Sequence, residues 1–134
     1  MEHLKKEHRS SLKLLPPQTI MDKHHEQEVY MSVLMEFAMF PTDKGESVSD
    51  HVSRILKTID EAGHPYTLTA MGTIVEVEKL DDALKIVKKA YKQLERDCNR
   101  VYSTIKLDIR RGKTGRLKQK IASVEKKVGK KLSS

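Results

Sequence analysis

Three carboxylates, Glu36, Glu76 and Asp108, stand in segments of alternating apolar and polar residues. On one face of a sheet they could act as an acid and base pair, or bind a cation or a donor-rich ring. Other chemistry fails on spacing. Gly112-Lys113-Thr114 ends like a phosphate loop, but the position five before Gly112 is Leu107, inside a strand-like run, where a loop glycine is required. The six histidines (His3, His8, His24, His25, His51 and His64) form no HExxH motif or His-x3-His pair, and Cys98 is the single cysteine. A multi-cysteine metal site and an internal disulfide are therefore excluded within one chain, and no metal site is expected. No Gly-x-Ser-x-Gly elbow or cysteine and histidine pairing points to a nucleophile, so no catalytic residue is assigned.

The composition narrows the class further. A chain of 134 residues suits one domain with a core. No apolar run approaches the roughly eighteen residues of a membrane helix. Leu12, Leu14 and Leu15 are cut off by Pro16 and Pro17 before they reach signal-peptide length, which gives a cytoplasmic expectation. The net charge of +7 is unevenly spread. From Arg110 onward ten Lys/Arg face the single acid Glu125, a net of +9, which leaves 16 basic against 18 acidic residues, or −2, elsewhere. A basic C-terminal segment on a near-neutral body points less strongly to nucleic acid than a basic domain would.

The elements that must position the carboxylates follow from periodicity. Residues 1–30 show no sustained period and are expected to be poorly ordered; residues 31–134 make the domain. Met31 to Phe40 reads as a strand ended by Pro41. Ser47 or Ser49 can cap a helix with Val48, Val52, Ile55, Leu56 and Ile59 on one stripe, closed by Gly63. Tyr66 to Met71 and Thr73 to Glu78 are two strands meeting near Gly72. Asp81 or Asp82 opens a second helix with Leu84, Val87, Ala90, Tyr91, Leu94 and Cys98 at helical spacing. Val101 to Ile109 alternates as a fourth strand, and Leu117, Ile121, Val124 and Val128 stripe a basic last helix that must pack on something.

The order β-α-β-β-α-β is the split βαβ arrangement: an α+β, ferredoxin-like sandwich with both crossover helices on one face of an antiparallel sheet, here with an additional C-terminal helix. Period two puts Tyr102, Thr104, Lys106, Asp108 and Arg110 on the open face, with Glu36, Glu76 and either Thr67 and Thr69 or Leu68 and Ala70. Such a face suits sheet-on-sheet dimerisation around a polar pocket, or a solvated surface of salt-linked side chains. RNA recognition motifs share this topology but stack bases on third-strand aromatics; Thr73 to Glu78 has none and carries two acids.

Met35-Glu36-Phe37, Ser47-Val48-Ser49, Thr69-Ala70-Met71-Gly72-Thr73 with Glu76, and Val101 to Asp108 with Arg110-Arg111 together resemble the small thiamine-binding proteins related to YkoF. The resemblance spans about Met31 to Val128. The chain has Val77 where that family often has glycine, and Gly112 where it often has an acid. The resemblance implies sheet-mediated homodimers or homotetramers that bind thiamine or its hydroxymethylpyrimidine part, without catalysis and without a further cofactor. For that ligand Glu36, Glu76 and Asp108 supply acids and Thr69, Thr73 and Thr104 hydroxyls. Met71 could pack on the flat ring, Gly72 lets backbone come close, and Lys106 could pair Asp108 or Glu36. A nucleic-acid-associated protein using Arg110 to Lys131, and a pure assembly module, are the alternatives.

Overall fold

The computed structural model describes residues 31–134; the expectation for residues 1–30 lies outside the described residues. The elements are β1 (Met31–Pro41), α1 (Ser49–Glu61), β2 (Tyr66–Thr69), β3 (Gly72–Val77), α2 (Leu80–Glu95), β4 (Val101–Arg111) and α3 (Arg116–Val128). The four strands form one antiparallel sheet in the order β2-β3-β1-β4, the ferredoxin-like arrangement with an extra C-terminal helix.

The alternation along β1 sorts the two faces. Val33, Met35, Phe37 and Met39 are buried with Ile55 and Ile59 of α1 and Ala83, Ile86, Ala90 and Leu94 of α2. Ser32, Leu34, Glu36, Ala38 and Phe40 point to the opposite face. In register, Glu76, Leu34 and Asp108 form one row across β3, β1 and β4, and Ile74, Glu36 and Lys106 form the next. Because Thr67 pairs with Ile74, the open face takes Thr67 and Thr69 from β2.

Several local expectations are corrected. Neither Ser47 nor Ser49 caps α1: the cap position is Val48, and the two hydroxyls lie 3.3 Å from each other. Lys79 precedes α2, so Asp81 and Asp82 fall inside its first turn, where their charges favour the positive end of the helix dipole. The buried stripe of α2 is Ala83, Ile86, Ala90, Leu94 and, beyond the helix end, Cys98; Leu84 and Tyr91 remain 48% and 43% exposed. The helix has turned to put its alanines against the sheet. Small side chains permit the closer approach, and the larger ones move to the flank.

The last strand and helix depart furthest from a fully packed sandwich. Ile105, Leu107 and Ile109 pair with the buried Phe37, Met35 and Val33 but are themselves 40–48% exposed, because α1 and α2 pack over β1 and β3 and leave β4 largely uncovered. Of α3, only the first turn is held. Arg116 is buried, whereas Ile121, Val124 and Val128 of the expected packing stripe are 40–53% exposed.

Candidate functional site

The segment Thr69 to Thr73 closes the β2–β3 hairpin with Ala70 and Met71 as its two turn residues. The Thr69 hydroxyl organises that turn: it donates to the Gly72 carbonyl at 2.8 Å and accepts from the Met71 and Gly72 amides, both at 3.2 Å. Gly72 is needed for space. A Cβ there would stand 3.0 Å from the Phe37 carbonyl oxygen, so β1 and β3 could not approach as they do.

Between this hairpin and α1 lies a cleft of about 300 Å³. Val48, Val52, Ile55, Leu56 and Ile59, the stripe read from the sequence, form its helix wall. Phe37 to Phe40 supply the floor, and Leu68 to Thr73 the hairpin wall. Among the described residues no charged side chain lines it. Thr73 faces the core side of the sheet and is 3% exposed, whereas Met71, expected to pack, is 88% exposed at the turn tip. The turn carries Met71 past the end of the sheet, and among the described residues it is left largely uncovered.

The nine residues expected to share one pocket on the open face do not converge there. Thr69, Met71, Gly72 and Thr73 line the cleft beside α1. Glu36, Lys106 and Thr104 remain on the open face, where the Lys106 ammonium lies 3.6 Å from Glu36 in an exposed ion pair. Glu76 and Asp108 are engaged by α3. The Glu76 carboxylate accepts from the Ser32 hydroxyl at 2.6 Å and from the Arg116 and Leu117 amides, both at 3.0 Å. It caps α3 from 40 residues away, where Gly115, at φ +65°, has no side chain to do so. The Arg116 guanidinium meets Asp108 at 2.9 Å and donates to the Ser32 hydroxyl and carbonyl and to the Asp108 carbonyl. Burial opposes ionisation of Glu76, but the bonds from Ser32, Leu117 and Arg116, with the Arg116 charge, outweigh it and hold its carboxyl below the usual range.

Sequence reasoning missed Val48, Val52, Leu56, Phe40 and Leu68 as cleft residues. One signal was available: the α1 stripe is broader than burial of one helix on a short hairpin needs, and Val48, Val52 and Leu56 are left only partly buried. A second group also went unread. Ligand-type atoms of His51, Asp97 and Cys98 lie within 4.8 Å of one another. Their chemistry resists a metal ion. Arg54 grips Asp97 with two bonds of 2.9 and 3.1 Å and holds its carboxyl far below the usual range, while burial and the Asp97 charge push the Cys98 thiol up, away from the thiolate a metal needs.

Among the described residues no helix is long and apolar enough to cross a membrane. A family model described as thiamine-binding protein matches residues 35–125. The UPF0045 protein of Mycobacterium bovis is 32% identical over 96 residues, 72% of this chain and 94% of that protein. A hypothetical protein of Methanocaldococcus jannaschii superposes with a TM-score of 0.64 at 31% identity, covering 69% of this chain and 95% of its own. A putative thiamine biosynthesis/salvage protein of Thermotoga maritima, at 22% identity and a TM-score of 0.55, shares the fold over 69% of this chain and 98% of its own.

Proposed function

The chain belongs to the thiamine-binding protein family, and from that membership we propose that it binds thiamine or its hydroxymethylpyrimidine moiety, without catalysis, in storage, sensing or delivery in the cytoplasm. The observation that carries the reading is the cleft beside α1. Its volume of about 300 Å³ suits one flat heterocycle. Phe37, Ile55 and Leu56 offer apolar surface for the ring faces, and the Thr73 hydroxyl with hairpin backbone groups offers donors and acceptors for the ring edge.

The uncharged lining favours the neutral aminopyrimidine over the thiazolium, whose fixed charge is better left at the open mouth. Glu36, Glu76 and Asp108 stand on the other face of the sheet and are engaged there by Lys106, by the start of α3 and by Arg116.

Calorimetric titration is expected to give heat with both thiamine and hydroxymethylpyrimidine, the fragment retaining affinity within about tenfold of thiamine. Thr73→Val should weaken binding about fivefold by removing one net hydrogen bond. Val52→Phe, which fills the cleft from the helix side, should abolish it. Heat that survives unchanged in both variants, or no heat from either compound at millimolar concentration, overturns the reading.

A homodimer or homotetramer through the sheet belongs to the same proposal. It is supported by the half-exposed Ile105, Leu107 and Ile109, a row of large apolar side chains on the helix side of the edge strand β4, so the proposed contact is that edge and not the polar open face. Sedimentation should return a multiple of the 15.4 kDa chain mass, and Leu107→Glu should shift it toward the monomer. A monomeric parent protein would remove the assembly part of the proposal.

A further inference from the structure

We infer that the cleft between β4 and α3 binds a small organic di- or triphosphate, a second site on the opposite side of the sheet from the cleft beside α1. It encloses about 390 Å³, with Leu34 and Val124 as its apolar surfaces. Arg110 from β4, Lys113 from the connecting turn and Lys120 from α3 surround it, with Gln119 and Ser123 beside them. Asp108, the single acid of the lining among the described residues, is neutralised by Arg116 at 2.9 Å. The remaining lining therefore carries three positive charges. Among the described residues no carboxylate pairs with Arg110, Lys113 or Lys120.

Three like charges around one concavity repel each other, and a cleft of one sign with apolar walls focuses its field on whatever enters. A polyanion relieves that repulsion. The cleft is also built in advance: α3, which carries Lys120, is fixed at its first turn by Glu76, Ser32 and Asp108, so its position does not have to be organised when a ligand arrives.

The chemistry of the occupant follows from count and size. Three cations reached from three separate chain segments match the about three to four charges of a di- or triphosphate better than the about two of a single phosphate. The volume left beyond a diphosphate, bordered by Leu34 and Val124, suits an attached organic group. A nucleic-acid backbone would instead draw on the whole basic segment, including Lys126, Lys127, Lys130 and Lys131, which lie outside the cleft.

Titration of the full chain with inorganic pyrophosphate, ADP and a short single-stranded oligonucleotide, at about 50 mM and about 300 mM salt, tests this. Both small anions are expected to bind, ADP more tightly, and both to weaken at the higher salt. Lys120→Glu and Arg110→Glu should each weaken ADP by about tenfold or more, with circular dichroism unchanged. Lys130→Glu, the same charge change outside the cleft, should leave ADP binding within about twofold. No binding of either small anion at millimolar concentration overturns the inference. So does an oligonucleotide that binds more tightly than ADP and loses affinity equally in all three variants, since that marks a diffuse basic surface.

Discussion

Glu76→Ala is expected to unfold with about 3 kcal/mol less stability than the parent chain in chemical denaturation, although Glu76 lies on the sheet face opposite the apolar core. The loss has two sources. The Arg116 and Leu117 amides at the start of α3 would be left without an acceptor, and the buried Arg116 guanidinium, still paired with Asp108 at 2.9 Å, would lose the attraction of the Glu76 charge. Glu76→Gln should recover little, because an amide can accept from one of these N–H groups only by presenting its own donors to the others.

The same residue sets a pH dependence. Glu76 is held ionised below the ordinary value of 4.5, so its contribution is fully present above that value and is lost as the pH falls through the lower folded-state one. Denaturation midpoints measured from neutral to strongly acid pH should fall more steeply for the parent than for Glu76→Gln. Parallel curves would show that the carboxylate is not what fastens α3.

Phe37→Ala is expected to cost about 3–5 kcal/mol by the same measurement, the range for truncating a fully enclosed aromatic. Phe37 is 2% exposed at the centre of the sheet and also floors the cleft beside α1, so its loss opens the core toward the cleft. Stability and ligand affinity should fall together in this variant. In Thr73→Val affinity alone should fall, because one hydroxyl is removed and the apolar packing is kept. A Phe37→Ala protein with parent-like stability would mean that the space refills from the hairpin side.

How much of this was legible in the residues depended on whether the signal was local. Alternation in Met31 to Phe40 and Val101 to Ile109, and the α1 stripe from Val48 to Ile59, specify faces by spacing alone, and the fold and strand order follow. The rotation of α2 could not be read in the same way. Its sequence holds two overlapping stripes, and the choice of Ala83, Ile86 and Ala90 over Leu84 and Tyr91 depends on how closely the sheet lies.

The role of Glu76 was hidden for a related reason. Period two correctly puts it on the face away from α1 and α2, but its partners are backbone amides 40 and 41 residues away, and no side-chain pattern announces them. Thr69 and Thr73 stand at the hairpin, but the cleft they line is the one beside α1 and not a pocket on the open face. The polar open face was an expectation drawn from alternation, which says which side chains share a face and nothing of how deep that face is.

The strand order β2-β3-β1-β4 also fixes a sequence of events in folding. β1 is synthesised before the strands that flank it, yet in the sheet it lies between partners far along the chain: Met35 pairs with Val75, 40 residues on, and with Leu107, 72 residues on. Among the described strands the β2–β3 hairpin is the one local pair, so it and the two crossover helices can form early. The insertion of β1 and the closing of β4 must await the large loop closures. Until then Val33, Met35, Phe37 and Met39 stand as an unpaired apolar edge. The chain's greatest exposure to aggregation therefore falls in the interval before its last strand arrives.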